Sequence, residues 1–368
     1  MPLNCGIVGL PNVGKSSLFS ALTSIQANIQ NYPFCTIEPN VGLVEVPDYR
    51  IQKLSEIYIS KNSIPATCEF VDIAGLVKNA SQGEGLGNRF LANIRETSIV
   101  AHVLRCFVDD TVSHVSSTLD PEDDILTIQT ELTIADLESI ARQKERILKE
   151  KKVKNPDLQK KVAIMEPLLE KIEEALNKNQ ALHTLELSTD EEVYYTQLQL
   201  LRAKPTLYVC NVSEQDVHEG NAYVEKVRAV AESEQSTTIQ VCAKYESELA
   251  SLPPHERKEF LENTGIEHSS LSLLVESAYA LMGLRTFFTA GEKEVHAWTF
   301  KEGTKAPEAA GIIHSDFQRG FIRAEVFSYE DIIAHGSEHN IRSAGKVRTE
   351  GKNYLVQDGD IVHFRFNV

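Results

Sequence analysis

Gly9-Leu10-Pro11-Asn12-Val13-Gly14-Lys15-Ser16 has the residue types and spacing that bind a phosphate chain. Its glycines let the backbone curl so that successive N–H groups converge on phosphate oxygens. Lys15 supplies a cation for the outer phosphates, and the Ser16 hydroxyl can ligate Mg²⁺. The context agrees. Leu3 to Val8 reads as a buried strand, and Ser16 to Ile25 as a helix with Leu18, Phe19 and Leu22 on one face. That helix start adds a positive dipole end. Asn12, Val13, Gly14, Lys15, Ser16 and Ser17 are therefore expected to contact nucleotide.

Asp72-Ile73-Ala74-Gly75 supplies the second half of such a site. It follows a predicted strand over Thr67 to Val71, so the Asp72 carboxylate can hold Mg²⁺ through water and the Gly75 N–H can reach a γ-phosphate. Between the two motifs, Asn31 to Ile37 reads as a loop by its Asn and Pro content. The Thr36 hydroxyl on it can complete the Mg²⁺ shell; the alternative is a turn hydroxyl bonding its own backbone. Leu76 stands where Ras-type enzymes carry the glutamine that orients water. Leucine has no polar group, so another residue holds the water or hydrolysis is slow. His114, in the acidic loop expected over Asp109 to Asp124, is the candidate, because a neutral imidazole accepts a hydrogen bond from water. A surface histidine is the alternative. Lys15, Gly75 and His114 form the expected catalytic set.

Two further predicted strands end where a base would lie. Thr206 to Cys210 leads into Asn211-Val212-Ser213-Glu214, and Thr237 to Val241 into Cys242-Ala243-Lys244. Guanine recognition needs N-K-x-D at the first, with the aspartate accepting from guanine N1–H and the exocyclic amine. Here Val212 replaces the lysine, and Glu214 replaces the aspartate with one methylene more. The carboxylate is misplaced for guanine, whereas adenine has no N1 donor to lose. ATP is expected over GTP, with a relaxed GTPase as the alternative. Asn211, Val212, Glu214, Cys242, Ala243 and Lys244 are the expected base-side residues.

The elements that must position these groups follow from pattern and composition. The 368 residues are 42% hydrophobic, enough for two or three domains with real cores, and the formal net charge of −16 argues against a surface coated by nucleic acid. There is no apolar run of transmembrane length, no leader-like start, and no C-x-x-C among six cysteines. A cytoplasmic protein with buried free thiols and no membrane partner is expected. Further strands are expected at Val41 to Val46 and Ile99 to Phe107, with a helix from Asn88 to about Glu96 between them. From Ile125 to about Leu201 the chain turns helical. Leu132, Ala135, Ile140, Ile147 and Leu148 mark one amphipathic helix, and Val162, Met165, Leu168, Leu169, Ile172 and Leu176 a second. Asn155-Pro156-Asp157 breaks between them, which predicts an antiparallel coiled-coil hairpin. Toward its tip run Arg142, Lys144, Arg146, Lys149, Lys151, Lys152, Lys154, Lys160 and Lys161 against Glu145, Glu150 and Asp157, nine minus three or a local +6. That run is expected to meet RNA phosphates; a solvated helix face is the alternative. Because the α/β pattern resumes at Thr206, the hairpin is an insertion in one nucleotide-binding domain. A helix is expected from Leu271 to Leu284. Beyond it, strands at Glu294 to Phe300, Gly320 to Phe327 and Asp360 to Phe366, with a helix from Ala306 to His314, suit a β-grasp module. The expected boundaries are 1–127 and 203–285 for the nucleotide domain, 128–202 for the insertion and 286–368 for the last module.

Assembled, these residues resemble the YchF family of Obg-related P-loop NTPases, the Obg-like ATPases, nearly end to end. The resemblance rests on Gly9 to Ser16, Asn31 to Ile37, Asp72-Ile73-Ala74-Gly75-Leu76-Val77, Gly83 to Asn88 and the N-x-x-E at Asn211 to Glu214. The end of the chain resembles a TGS domain through Asp316-Phe317, Gly320 to Glu325 and Val356 to Asp360. It implies an α/β fold: a Ras-like P-loop NTPase domain, an inserted α-helical coiled-coil hairpin and a C-terminal β-grasp (TGS) domain. It implies an Mg²⁺-dependent ATPase in which a hydrophobic residue, here Leu76, replaces the catalytic glutamine. Asn12 matches an asparagine that supports K⁺ binding, and His114 a histidine thought to aid hydrolysis. It also implies association with the ribosome or its subunits and rRNA, through the coiled coil and the TGS domain, and a link to stress responses. Asn79 departs from the glycine that many members carry. A monomeric ATP-driven switch is expected; a metabolic phosphotransferase and a nucleotide-stabilised scaffold are the alternatives.

Overall fold

A computed structural model describes residues 3–24, 40–73, 86–109, 119–253, 256 and 269–367. In chain order the elements are β1 (Asn4–Val8), α1 (Lys15–Ser24), β2 (Val41–Glu45), α2 (Tyr49–Tyr58), β3 (Asn62–Ile64), β4 (Thr67–Asp72), α3 (Leu86–Glu96) and β5 (Ile99–Arg105). Next come α4 (Pro121–Glu150), α5 (Pro156–Asn177), α6 (Thr189–Leu198), β6 (Thr206–Asn211), α7 (Ala222–Ser233), β7 (Thr237–Val241), α8 (Ala243–Ser251) and α9 (Ser270–Leu281). The remainder is β8 (Leu284–Ala290), β9 (Glu294–Lys301), α10 (Ala306–Ile313), α11 (Ser315–Arg319), β10 (Phe321–Ser328), α12 (Tyr329–His335), α13 (Glu338–Ser343), β11 (Arg348–Glu350) and β12 (Asp360–Phe366). The chain divides into two compact units, residues 1–42 with 69–274 and residues 43–68 with 275–368.

The first unit is built on a sheet of order β2-β4-β1-β5-β6-β7. β4, β1, β5, β6 and β7 pair in parallel. β1 and β5 are buried along their whole length, as strands covered on both faces must be. Parallel pairing sends all their C-terminal ends to one edge, and the loops that leave that edge carry the motifs.

The helical insertion is continuous with this unit. α4 starts at Pro121 and not near Ile125, with Asp120 accepting from the Glu122 N–H as N-cap, Pro121 in the first turn and Glu122, Asp123 and Asp124 following. That is a helix start whose acids face the positive dipole end, in place of the end of an acidic loop. Ile125 packs with Cys106, Tyr208 and Val224 of the α/β layer, so the boundary falls inside a helix rather than in a linker. The 30-residue α4, about 45 Å long, and the 22-residue α5 form the hairpin. Its seam is Ile140, Ile147, Val162, Met165, Leu168, Leu169, Ile172 and Leu176. Leu148 was expected in that seam but is 56% exposed, because Ile147 takes the inward position. Asn155 caps α5 by accepting from the Asp157 N–H at 2.9 Å.

The second unit is a sheet of order β11-β10-β12-β8-β9-β3. Its edge strand β3 comes from residues 62–64 and pairs in parallel with β9. α2 buries Ile51 and Leu54, Arg50 bonds Asp358 at 2.7 Å, and the Tyr58 hydroxyl donates to Glu338 at 2.9 Å. α2 and β3 therefore pack with this unit, although the expected boundaries placed them in the nucleotide domain. Asp48 caps α2, and the Ile51/Leu54 spacing is helical, so that helix had a local signature. Its partners Glu338 and Asp358 lie 280 and 308 positions away and have none. The expected strands and helix of the last module appear at nearly the expected places. β8 starts at Leu284, so this sheet begins two residues before the expected boundary, and α11, α12, α13 and β11 are additional.

Candidate functional site

The loop between β1 and α1 is held in its curl from several sides. Asn12 sits at φ +63° and Gly14 at φ +100°, conformations that asparagine tolerates and glycine adopts freely. A Cβ at Gly14 would collide with the Asn211 amide. That amide is the second tie: Asn211 Nδ2 donates to the Val13 carbonyl at 2.9 Å, and its Oδ1 accepts from the Ala243 N–H at 3.0 Å. One buried side chain thus joins the phosphate loop, the end of β6 and the start of α8. The Val13 side chain is fully buried, which leaves its backbone as the part available to a ligand.

Lys15 is 8% exposed and donates to the carbonyls of Gly9 at 2.8 Å and Leu10 at 2.9 Å. Burial pulls its pKa below the ordinary lysine value, and the Asp72 charge opposes that pull. Asp72 ends β4 beside Ile7 of β1. Burial pushes its carboxyl above the usual carboxylate range, with Lys15 pulling the other way. Its Oδ1 is buried and has no hydrogen-bond partner among the described residues. An orphaned carboxylate oxygen, with the exposed Ser16 hydroxyl on the first turn of α1, is a donor set that suits a hard, oxygen-preferring cation such as Mg²⁺. His102 lies on β5, fully buried, with burial first and Lys15 second lowering its pKa to about 3. A neutral, enclosed imidazole cannot hold an attacking water.

A pocket of about 820 Å³ opens at this edge. Asn12, Gly14, Lys15, Ser16, Ser17, Asn211, Val212, Glu214, Cys242, Ala243 and Lys244 all line it. The volume is ample for one nucleotide. The Glu214 carboxylate lies 3.5 Å from the Lys244 ammonium. Phe107, Val108, Asp109, Ser213, Ser247, Glu248 and Ser251 line the pocket too and were missed by the motif reading. Ser247, Glu248 and Ser251 follow Lys244 at helical spacing, so the face of α8 was legible in principle. Phe107 to Asp109 directly follow β5, the strand beside β1, and position alone could have flagged them. Thr36, Gly75, Leu76, Asn79 and His114 lie outside the described residues.

The basic run of the hairpin is less basic than its linear count. Arg142 pairs with Glu138, Lys144 with Glu173, Arg146 and Lys161 with Glu150, and Lys151 with Glu166. The +6 omitted carboxylates of α5 that folding brings opposite α4. Lys149, Lys152, Lys154 and Lys160 are exposed and make no ion pair among the described residues. All four lie at or next to the turn that joins the two helices. No helix among the described residues is long and apolar enough to cross a membrane.

Comparison with known proteins places this arrangement among close relatives. A family model described as "50S ribosome-binding GTPase" matches residues 4–134. The YchF-GTPase C-terminal model, described as "Protein of unknown function (DUF933)", matches residues 284–367. The chain is 53% identical over all of its length and all of the relative's to the Ribosome-binding ATPase YchF of Bacillus subtilis. It is 48% identical, again over the full length of both, to the protein of that name from Escherichia coli O157:H7. The solved structure of the Schizosaccharomyces pombe YchF GTPase shares 37% identity and superposes with a TM-score of 0.90, covering 99% of this chain and 97% of that one.

Proposed function

The chain belongs to the YchF family, and from that premise we propose that it is a ribosome-associated, Mg²⁺-dependent ATPase switch with slow intrinsic turnover and a preference for ATP over GTP. The observation that carries the reading is the single pocket in which the phosphate loop and the N-x-x-E motif meet. The names of the relatives leave the base open, since some say ATPase and one GTPase. Side-chain chemistry favours adenine. Glu214 is one methylene too long for guanine's N1–H and amine, and the ammonium of Lys244 lies beside its carboxylate. Lys15 and the loop amides hold the phosphates, Ser16, Asp72 and Thr36 hold Mg²⁺, and Asn12 is the residue for K⁺ if it is used. Bound Mg²⁺ neutralises charge building on the phosphates during hydrolysis. Gly75 meets the γ-phosphate and His114 positions the water in place of the absent glutamine. The γ-phosphate orders the loops at Thr36 and Gly75, and its loss releases them.

The ribosomal contact is assigned to the hairpin tip and the C-terminal module, with rRNA phosphate as the target of the tip. Four unpaired lysines set the scale. Replacing Lys149, Lys152, Lys154 and Lys160 by glutamate is expected to flatten the slope of log affinity against log salt by roughly three, from about 0.7–0.9 per phosphate contact. The same change at the paired Lys144 and Lys161 leaves the slope nearly unaltered. Ribosome co-sedimentation across a salt series, with ATP, ADP and GTP in parallel, checks this. Equal slopes for wild type and the tip variant remove the tip from the interface, and pelleting that ignores the nucleotide removes the switch.

A further inference from the structure

Arg105 is the last residue of β5 and is 3% exposed. A charged group in so enclosed a place needs close hydrogen-bond partners, and two of its partners belong to the wall of the pocket. Its Nε donates to the Phe107 carbonyl at 3.2 Å and one terminal nitrogen donates to the Asp109 carbonyl at 2.9 Å. The guanidinium lies 4.9 Å from the centroid of the Phe107 ring. The residue between strand and wall is pinned as well: the Cys106 N–H donates to Asn211 at 2.8 Å, and the Cys106 carbonyl accepts from Asn221 at 2.8 Å. Arg105 itself faces Asn211 in the strand register. The turn Phe107 to Asp109 is thus held by Arg105 at the end of β5, and the residue before it by Asn211 at the end of β6 and by Asn221; the turn lines the pocket together with the N-x-x-E motif that begins at Asn211. A planar fork that reaches two carbonyls while lying against a ring is a task for arginine and not for lysine.

We propose that Arg105 is a positioning residue for the base side of the nucleotide pocket, holding the Phe107–Asp109 wall where a nucleobase meets it. The inference rests on the reading of this pocket as an ATP site. Loss of the fork lets the wall swing, so affinity that depends on the base falls while affinity that depends on the phosphates does not.

Calorimetric titration of the full chain with Mg-ATP and, separately, Mg-tripolyphosphate tests it on wild type, Arg105→Met and Arg105→Lys. Arg105→Met is expected to lose about tenfold for ATP, the scale of a weakened base contact, and to keep tripolyphosphate affinity within about twofold. Arg105→Lys, whose ammonium reaches one carbonyl, is expected to lose about threefold for ATP alone. Equal ATP affinity in wild type and Arg105→Met overturns the proposal. So does a loss of both ligands by the same factor in both variants, which marks a general structural role. Wild-type protein that binds neither ligand defeats the ATP-site reading itself, and the inference falls with it.

Discussion

Lys15→Ala is expected to weaken ATP binding by about a hundredfold and to reduce turnover to background, measured by calorimetric titration and phosphate release in the presence of Mg²⁺. A charge-assisted contact to phosphate is worth about 1.5–3 kcal/mol, and each 1.4 kcal/mol is a factor of ten. The upper end applies because Lys15 is buried, where its charge is less screened by water. The variant also removes the donor that serves the Gly9 and Leu10 carbonyls, so the loop loses an internal support. His114→Ala provides the contrast. It is expected to keep ATP affinity and lose turnover by about a hundredfold, the usual scale for a group that manages the proton of an attacking water. ATP retained within threefold by Lys15→Ala contradicts the loop assignment, and undiminished turnover in His114→Ala removes that histidine from the chemistry.

The second large effect concerns stability at the root of the arm. Glu234, just past the end of α7, accepts from the Tyr208 hydroxyl at 2.6 Å, from Gln129 of α4 at 2.9 Å and from Arg202 at 3.1 Å. His183 meets its carbonyl at 2.8 Å, and Asp136 accepts from the N–H groups of Leu201 and Arg202 at 2.9 and 2.8 Å. The Arg202 and Glu234 side chains are only 6% and 9% exposed. Glu234→Ala strands the Arg202 charge away from water, which costs about 3–5 kcal/mol. That is a large share of the 5–15 kcal/mol typical of a folded domain. A thermal melt is expected to show the first transition lowered by about 10 °C. The exposed pair Lys226–Asp120, 45% and 31% exposed, is the control: Lys226→Ala is expected to cost under about 1 kcal/mol. A Glu234→Ala protein that melts with wild type shows that the network adds nothing to folding.

These two cases mark where the sequence is informative. The phosphate loop is written in eight consecutive residues because backbone curl, cation and metal ligand are all local requirements. The segments after β6 and β7 are legible as pocket lining because each directly follows a short apolar strand. The Glu234 network joins side chains between 26 and 105 positions apart in the chain, and no period or spacing announces it. Arg105 had a faint signal, a charge at the end of an otherwise apolar run, but its purpose depends on carbonyls that only the folded turn presents. The basic run shows the converse error. Counting charge along the chain ignored Glu166 and Glu173, which the hairpin lays alongside Lys151 and Lys144. The acidic stretch before α4 carries a local helix-start signature: Asp120 before Pro121, with Glu122, Asp123 and Asp124 in the first turn, a pattern that outweighs the loop character its charge suggests.

Which base the pocket accepts is decided by direct calorimetric titration of the full chain with ATP and with GTP, both in Mg²⁺. ATP is expected to bind at least about tenfold more tightly than GTP, the discrimination expected when the carboxylate that guanine needs is displaced. GTP bound tenfold more tightly than ATP would contradict it.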